Sequence, residues 1–192
     1  MRITLEPIET ACYNLIFHDD IRGEVQSETV IPDAKPDAAY ILDVQAQVLA
    51  RSKELSTGKI SAEASVRCGV VYAAEGEEGC HCVQTELPIE FQAAVPSADE
   101  NCFLMVSYEL CSVEAKLINS RKLLLTANIC CRICCYQPGK FTVWEKPKQD
   151  KCGIQYLSGE AEHWLTVGVR EKTFPLPTNT PHQQVSQRKA DF

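Results

Sequence analysis

A chain of 192 residues is long enough for one substantial domain plus a little more, or for two small ones. Its net charge is -7 with no long Lys/Arg run, which argues against nucleic acid or an anionic membrane surface as a partner. Hydrophobic residues make up 45%, ordinary for a soluble globular protein, and no apolar stretch approaches the ~20 residues of a membrane span.

The opening MRITLEPIET has no apolar core of a signal peptide, so the expectation is a chain that stays in the cytosol. That compartment keeps thiols reduced. Eleven cysteines, an odd number, then read as small hydrophobes and not as a disulfide scaffold.

In chain order, His18 with Asp19 and Asp20 reads as a turn, and IRGEVQSETV after it alternates before IPDAKP. The dominant signal then begins. In YILDVQAQVLA, Leu42, Val44, Ala46, Val48 and Ala50 fall on one face, with Asp43, Gln45 and Gln47 on the other. In KISAEASVRCGVVY, Ile60, Ala62, Ala64, Val66, Cys68, Val70 and Tyr72 oppose Ser61, Glu63, Ser65 and Arg67. Successive strand side chains point to opposite faces, so these are half-buried antiparallel strands.

ELSTGKI between them is a hairpin turn with Gly58 free to take positive φ. Its STGK is not a phosphate-binding loop, because that motif needs a glycine where Lys53 stands. AEGEEGC is a second turn, leading to a strand with His81, Val83, Thr85, Leu87, Ile89 and Phe91 on one face. AAVPSADEN connects to CFLMVSYELC, which alternates through Leu104, Val106, Tyr108 and Leu110. A turn at Asn119–Ser120 opens the last long strand.

No helical stripe of ten residues appears, and the fold class read from this pattern is all-β, an antiparallel meander forming a β-sandwich or open barrel. The domain is expected over 1–137. Pro- and Lys-rich text at 138–152 reads as a linker or long loop, and 179–192 as a disordered polar tail. Between them, 153–178 is β-like. IPDAKP at Ile31 to Pro36 and LPTNTP at Leu176 to Pro181 share one frame, as though a second copy starts and stops.

NICCRICCYQ puts four cysteines into six positions. In a strand, Leu123, Leu125, Ala127, Ile129, Cys131, Ile133 and Cys135 share one apolar face, and Cys130 and Cys134 lie opposite, about 13 Å apart. Zinc holds each sulfur at about 2.3 Å, so those two cannot share an ion. Packing is therefore the expected role, with no metal or other cofactor. Contact with Cys80-His81-Cys82 across strands would revive a metal site or a disulfide. No nucleophile elbow, HExxH or dinucleotide fingerprint appears, and adjacent strand residues such as His81 and Cys82 point apart, so no catalytic residue is assigned.

Four segments occur in an order that resembles the SPOCS domain of spore-coat-associated proteins in endospore-forming Firmicutes: IPDAKPDAAYILDVQAQV, VVYAAEGEEG, LPIEFQAAVPSADE and VEAKLINSRKLLLTANI. The resemblance covers Ile31 to Tyr136. It implies a non-enzymatic protein–protein assembly module of spore-coat morphogenesis, made in the mother-cell cytosol and acting at the forespore surface. Its partners would be other coat or morphogenetic proteins, or a second copy through strand pairing. In that family some members end in a LysM module, to which the contact with a coat ATPase is attributed. No LysM follows in this sequence, so that partner is not carried over.

Pro32, Lys35, Pro36, Asp37, Arg121 and Lys122 are the candidate positions. The prolines fix φ before the first long strand, Lys35 and Asp37 flank the turn and are expected exposed, and Arg121 and Lys122 sit at the turn after Asn119. Setting turn geometry and contacting a partner are both open to them. The rival functions are a cysteine-based metal or redox protein and a carbohydrate- or peptidoglycan-binding sandwich, the latter limited by having only Trp144 and Trp164 outside the strand core.

Overall fold

Six strands and no helix make up the described part of the computed structural model, residues 6–56, 58–76, 78–145, 162, 164–168 and 170. The strands are β1 (Glu6–Val30), β2 (Ala38–Ser56), β3 (Lys59–Ala74), β4 (Cys80–Ala94), β5 (Phe103–Asn119) and β6 (Lys122–Glu145). They form two antiparallel three-stranded sheets, β1-β6-β5 and β2-β3-β4, packed face to face as a sandwich and not closed into a barrel.

The central strands carry the core. Ile60, Ala62, Ala64, Val66, Cys68, Val70 and Tyr72 of β3 are all buried, as are Leu123, Leu125, Ala127, Ile129, Cys131, Ile133 and Cys135 of β6. A strand with a neighbour on both sides and a sheet across from it has nowhere else to put one face, so its alternation in sequence is strict. Outside them, β1 lies across from β4 and β2 across from β5. Gly23 marks the first crossing: a Cβ built there would stand 2.7 Å from Phe91 Cε1 and 2.9 Å from Ile89 Cδ1. At the second, Lys53 Nζ donates to the Leu104 carbonyl at 3.0 Å.

The meander holds for β2–β3–β4, joined by turns in which Gly58, Gly76 and Gly79 have positive φ. It does not hold for the other sheet, where β1 pairs with the last strand over nearly its whole length. Alternation fixes which face is buried but names no partner strand, so this long-range pairing was invisible in it. His18, Asp19 and Asp20, expected in a turn, lie within β1, pairing with Cys134, Ile133 and Arg132. Their side chains are exposed on an edge strand, so polarity alone imitated a turn.

Two further expectations need correction. Leu42 and Ala50 are exposed, because register shifts at Ile41/Asp43 and Ala50/Ser52 turn β2 out of phase. The Pro-containing text from 138, read as linker, remains paired strand as far as Glu145. Pro138 stands opposite Tyr13, whose N–H points away from β6, so the nitrogen of Pro138 also points away from β1. On that side β5 has already ended, its ladder starting at Phe103↔Tyr136. A missing N–H costs no ladder bond there.

Of the expected second copy at 153–178, only Glu162, Trp164–Gly168 and Arg170 are described, and Thr166 makes an antiparallel bridge with Tyr13. The rest of that stretch, the later part of the expected linker and the tail at 179–192 lie outside the described residues. Among the described residues no helix is long and apolar enough to cross a membrane.

Candidate functional site

The chain passes from one sheet to the other at residues 31–37, and there the candidate positions meet the β5–β6 turn. Ile31 N–H donates to the Arg121 carbonyl and Ala38 N–H to the Ser120 carbonyl, each at 2.8 Å. Arg121 then reaches back over the crossover. Its Nη1 donates to Asp37 Oδ1 at 2.7 Å and to the Lys35 carbonyl at 2.9 Å. Its Nη2 donates to the Ile31 carbonyl at 3.2 Å and to Asp33 Oδ1 at 3.0 Å. A planar guanidinium with five donors suits this mixture of carbonyls and carboxylates, which a lysine could not serve together.

Asp37 is fixed from a second side by the Ser120 hydroxyl at 3.0 Å. The hydrogen bond from Arg121, then that from Ser120, hold its carboxyl below the usual carboxylate range. The same bond to Asp37 raises Arg121 further above its ordinary value. Lys35 donates to the Cys82 carbonyl of β4, and Tyr72 Oη donates to the Pro36 carbonyl at 3.2 Å. Lys122 pairs with Glu28 across the β1–β6 ladder.

Five of the six candidates therefore gather around one corner, while Pro32 is exposed beside it. Lys35 and Asp37 are half-buried and engaged, where sequence expected them exposed. Their partners are spent on the protein itself, and the cluster works as a clasp that ties the crossover to the β5–β6 turn and to β4. Tyr72 and Ser120 belong to it and were not singled out in sequence. Their partners are 36 and 83 residues away, so no local spacing could show them.

The two cysteine groups lie in different sheets, Cys80 and Cys82 on β4 and the run from Cys130 to Cys135 on β6. Burial pushes Cys131 up to about 12 and Cys135 up to about 11. Such thiols stay protonated and are poor nucleophiles and ligands. Among the described residues no group of three or more His, Cys, Asp or Glu is placed to hold a metal ion.

The outer face of the β2-β3-β4 sheet has an open groove lined by Arg51, Glu63, Ser65, Glu86 and Glu90 among others. Its charges satisfy one another. Arg67 Nε donates to Glu86 Oε1 at 2.9 Å, Arg51 Nε to Ser65 Oγ at 2.9 Å, and Ser61 to Glu90 at 3.0 Å. Glu86 is held below the usual carboxylate range, chiefly by Arg67.

The far end of β1 and β6 differs from all of this. Among the described residues β6 pairs only with β1 from residue 137 onward, so residues 6–14 and 137–145 run on as a two-stranded ribbon. Ile8, Val143 and Trp144 stand between 47% and 60% exposed on it.

The family model described as SipL, SPOCS domain matches residues 37–118, which run from Asp37 of the clasp through β2, β3, β4 and nearly all of β5. Arg121, Lys122, Pro32, Lys35 and Pro36 fall outside that match. No curated protein and no solved structure matches the chain. The family of that model is the one that the ordered segments of the sequence resemble, and the likeness rests on residues 37–118.

Proposed function

We propose that this chain is a non-enzymatic assembly module of spore-coat formation, made in the mother cell and acting at the forespore surface through contacts with other coat or morphogenetic proteins or with its own copies. The observation that carries this reading is the distribution of unused surface. The clasp and the polar groove spend their charged groups on partners within the protein. Among the described residues, sheet edge and the apolar ribbon also face outward, and these are the material of protein–protein contact. The family match supports the sporulation setting.

The test is the position of a fluorescent fusion of this chain in a sporulating host. A ring around the forespore, absent from vegetative cells, is the expected result. Diffuse signal at every growth stage would remove the coat-assembly reading and leave the fold assignment standing.

A further inference from the structure

Building on the assembly reading, we infer that the outer edge of β1 around Tyr13 is a strand-acceptor site, and that its occupant in the assembled protein is the Trp164–Gly168 segment of a second copy of this chain. The recognition chemistry is already visible within one chain. Tyr13 N–H donates to the Thr166 carbonyl at 2.7 Å, and the two residues form an antiparallel bridge. Tyr13 can do this because its position opposite Pro138 turns its N–H away from β6.

Three observations say that the intrachain contact leaves this pairing incomplete. First, the bridge is a single isolated one, with no further ladder among the described residues. Second, the docked segment leaves its own apolar groups in water, Trp164 at 95% and Val167 at 72% exposed. Third, the acceptor is a two-stranded ribbon, and such a ribbon is marginal without a third strand or a packed face. Five of the ten large apolar side chains exposed among the described residues lie on the ribbon and this segment: Ile8, Val143, Trp144, Trp164 and Val167.

Donor and acceptor are on the same chain, so two copies offer each other both halves of the contact. A reciprocal exchange closes with two-fold symmetry. The sixteen residues 146–161 separate Glu145 from Glu162. Extended, a stretch of that length reaches about 50 Å, enough to serve the chain's own edge or a neighbour's. The second copy adds what the described residues of one chain do not supply, a face to cover Trp144, Val143 and Trp164.

The experiment uses the full chain in two co-expressed forms. One carries the photo-cross-linking residue benzoylphenylalanine in place of Tyr13 and an affinity tag. The other is untagged and carries Ile154→Val, outside the docking segment but in the same tryptic peptide, as a mass mark. After irradiation, the tagged chain is isolated and its cross-linked peptides are sequenced by mass spectrometry, with the molar mass of the unirradiated protein measured by light scattering. The expected result is a dimer in which about half of the cross-links from position 13 reach the marked peptide. A dimer whose cross-links reach only the unmarked peptide would overturn the exchange and leave self-assembly by another surface standing. A monomer at every concentration would overturn self-assembly altogether. In the dimer, Tyr13→Pro removes the N–H that the bridge uses, and self-association should weaken roughly tenfold. Unchanged association would sink the acceptor site even if the cross-link forms.

Discussion

At one end of β1 and β6 the chain crosses between sheets and is tied down by Arg121, while at the other the same two strands run on as a ribbon with apolar groups in water. Leu123, Leu125 and Ala127 near the clasp are fully buried, whereas Val143, on the same face of the same strand, is 48% exposed. The facing of β6 residues runs unbroken through both ends, so it does not cause the difference. What differs is whether a second sheet lies across. Burial is a property of the pair of sheets, and a strand can keep its pattern where the partner sheet has ended.

The sharpest way to break this comparison is with thiols. At pH 8 a thiol whose pKa is pushed up to about 12, as at Cys131, is roughly a thousandfold poorer in thiolate than an ordinary one. Cys131 and Cys135 should therefore escape alkylation by iodoacetamide in the native protein, while the exposed Cys80 and Cys111 label quickly. Cys12 is the informative case. It is only 6% exposed but sits in the ribbon, so local opening should label it well before Cys131. Peptide mapping over a time course reads this, and equal protection of Cys12 and Cys131 would show the ribbon to be as firmly held as the body.

Next in size is a matched pair on β6. Ile129→Ala removes a side chain that is 1% exposed and should cost about 3 kcal/mol in urea unfolding. Val143→Ala, on the same face in the ribbon, should cost under about 0.5 kcal/mol in the monomer. Comparable losses would mean that the ribbon is covered in a way the single chain does not reveal.

The glycines give a smaller contrast within the body. Gly23→Val pushes new atoms into Phe91 and Ile89 where β4 crosses β1, and overpacking of this kind costs about 1–3 kcal/mol. Gly69 lies on β3 with nothing within 4 Å of a built Cβ, and Gly69→Val should leave stability within about 0.5 kcal/mol of the parent. If the two variants unfold alike in urea, the close approach at Gly23 is absorbed by movement of the Phe91 ring.

How much of this was legible in sequence follows the same division. The core faces of β3 and of β6 as far as Cys135 were readable residue by residue, because a strand buried between neighbours and under a second sheet alternates on that face. Edge strands were readable only in part. β2 shifts phase at its bulges, and β1 shows enough polar side chains that His18–Asp20 imitated a turn. Partner choice was not readable, since β1 and β6 meet across about a hundred residues. The clasp was half legible. Pro36, Asp37 and Arg121 stood out as residue types at turns, but their joining depends on the crossover and the β5–β6 turn meeting in space.

The clasp yields the last and smallest effect, and it separates charge from geometry. Asp37→Asn keeps an oxygen that can accept from Arg121 and Ser120 but removes the negative charge. The folded-state pKa of Asp37 is depressed below its ordinary 3.8. Its ionised form therefore adds stability that is fully present above that ordinary value and is lost as pH falls through the folded one. The parent should exceed Asp37→Asn in urea stability by a constant margin from about pH 6 to pH 5, and the margin should close below about pH 4. Asp20→Asn, which breaks the pair with Arg132 on an open sheet face, should show the same sign with a smaller margin, because no crossover carbonyls depend on Arg132. A margin for Asp37→Asn that persists unchanged to pH 3 would mean that the clasp holds through the shape of its hydrogen bonds and not through its charge. The crossover would then be tied to the β5–β6 turn by Arg121's bonds to the Ile31 and Lys35 carbonyls, which no change of pH in that range can remove.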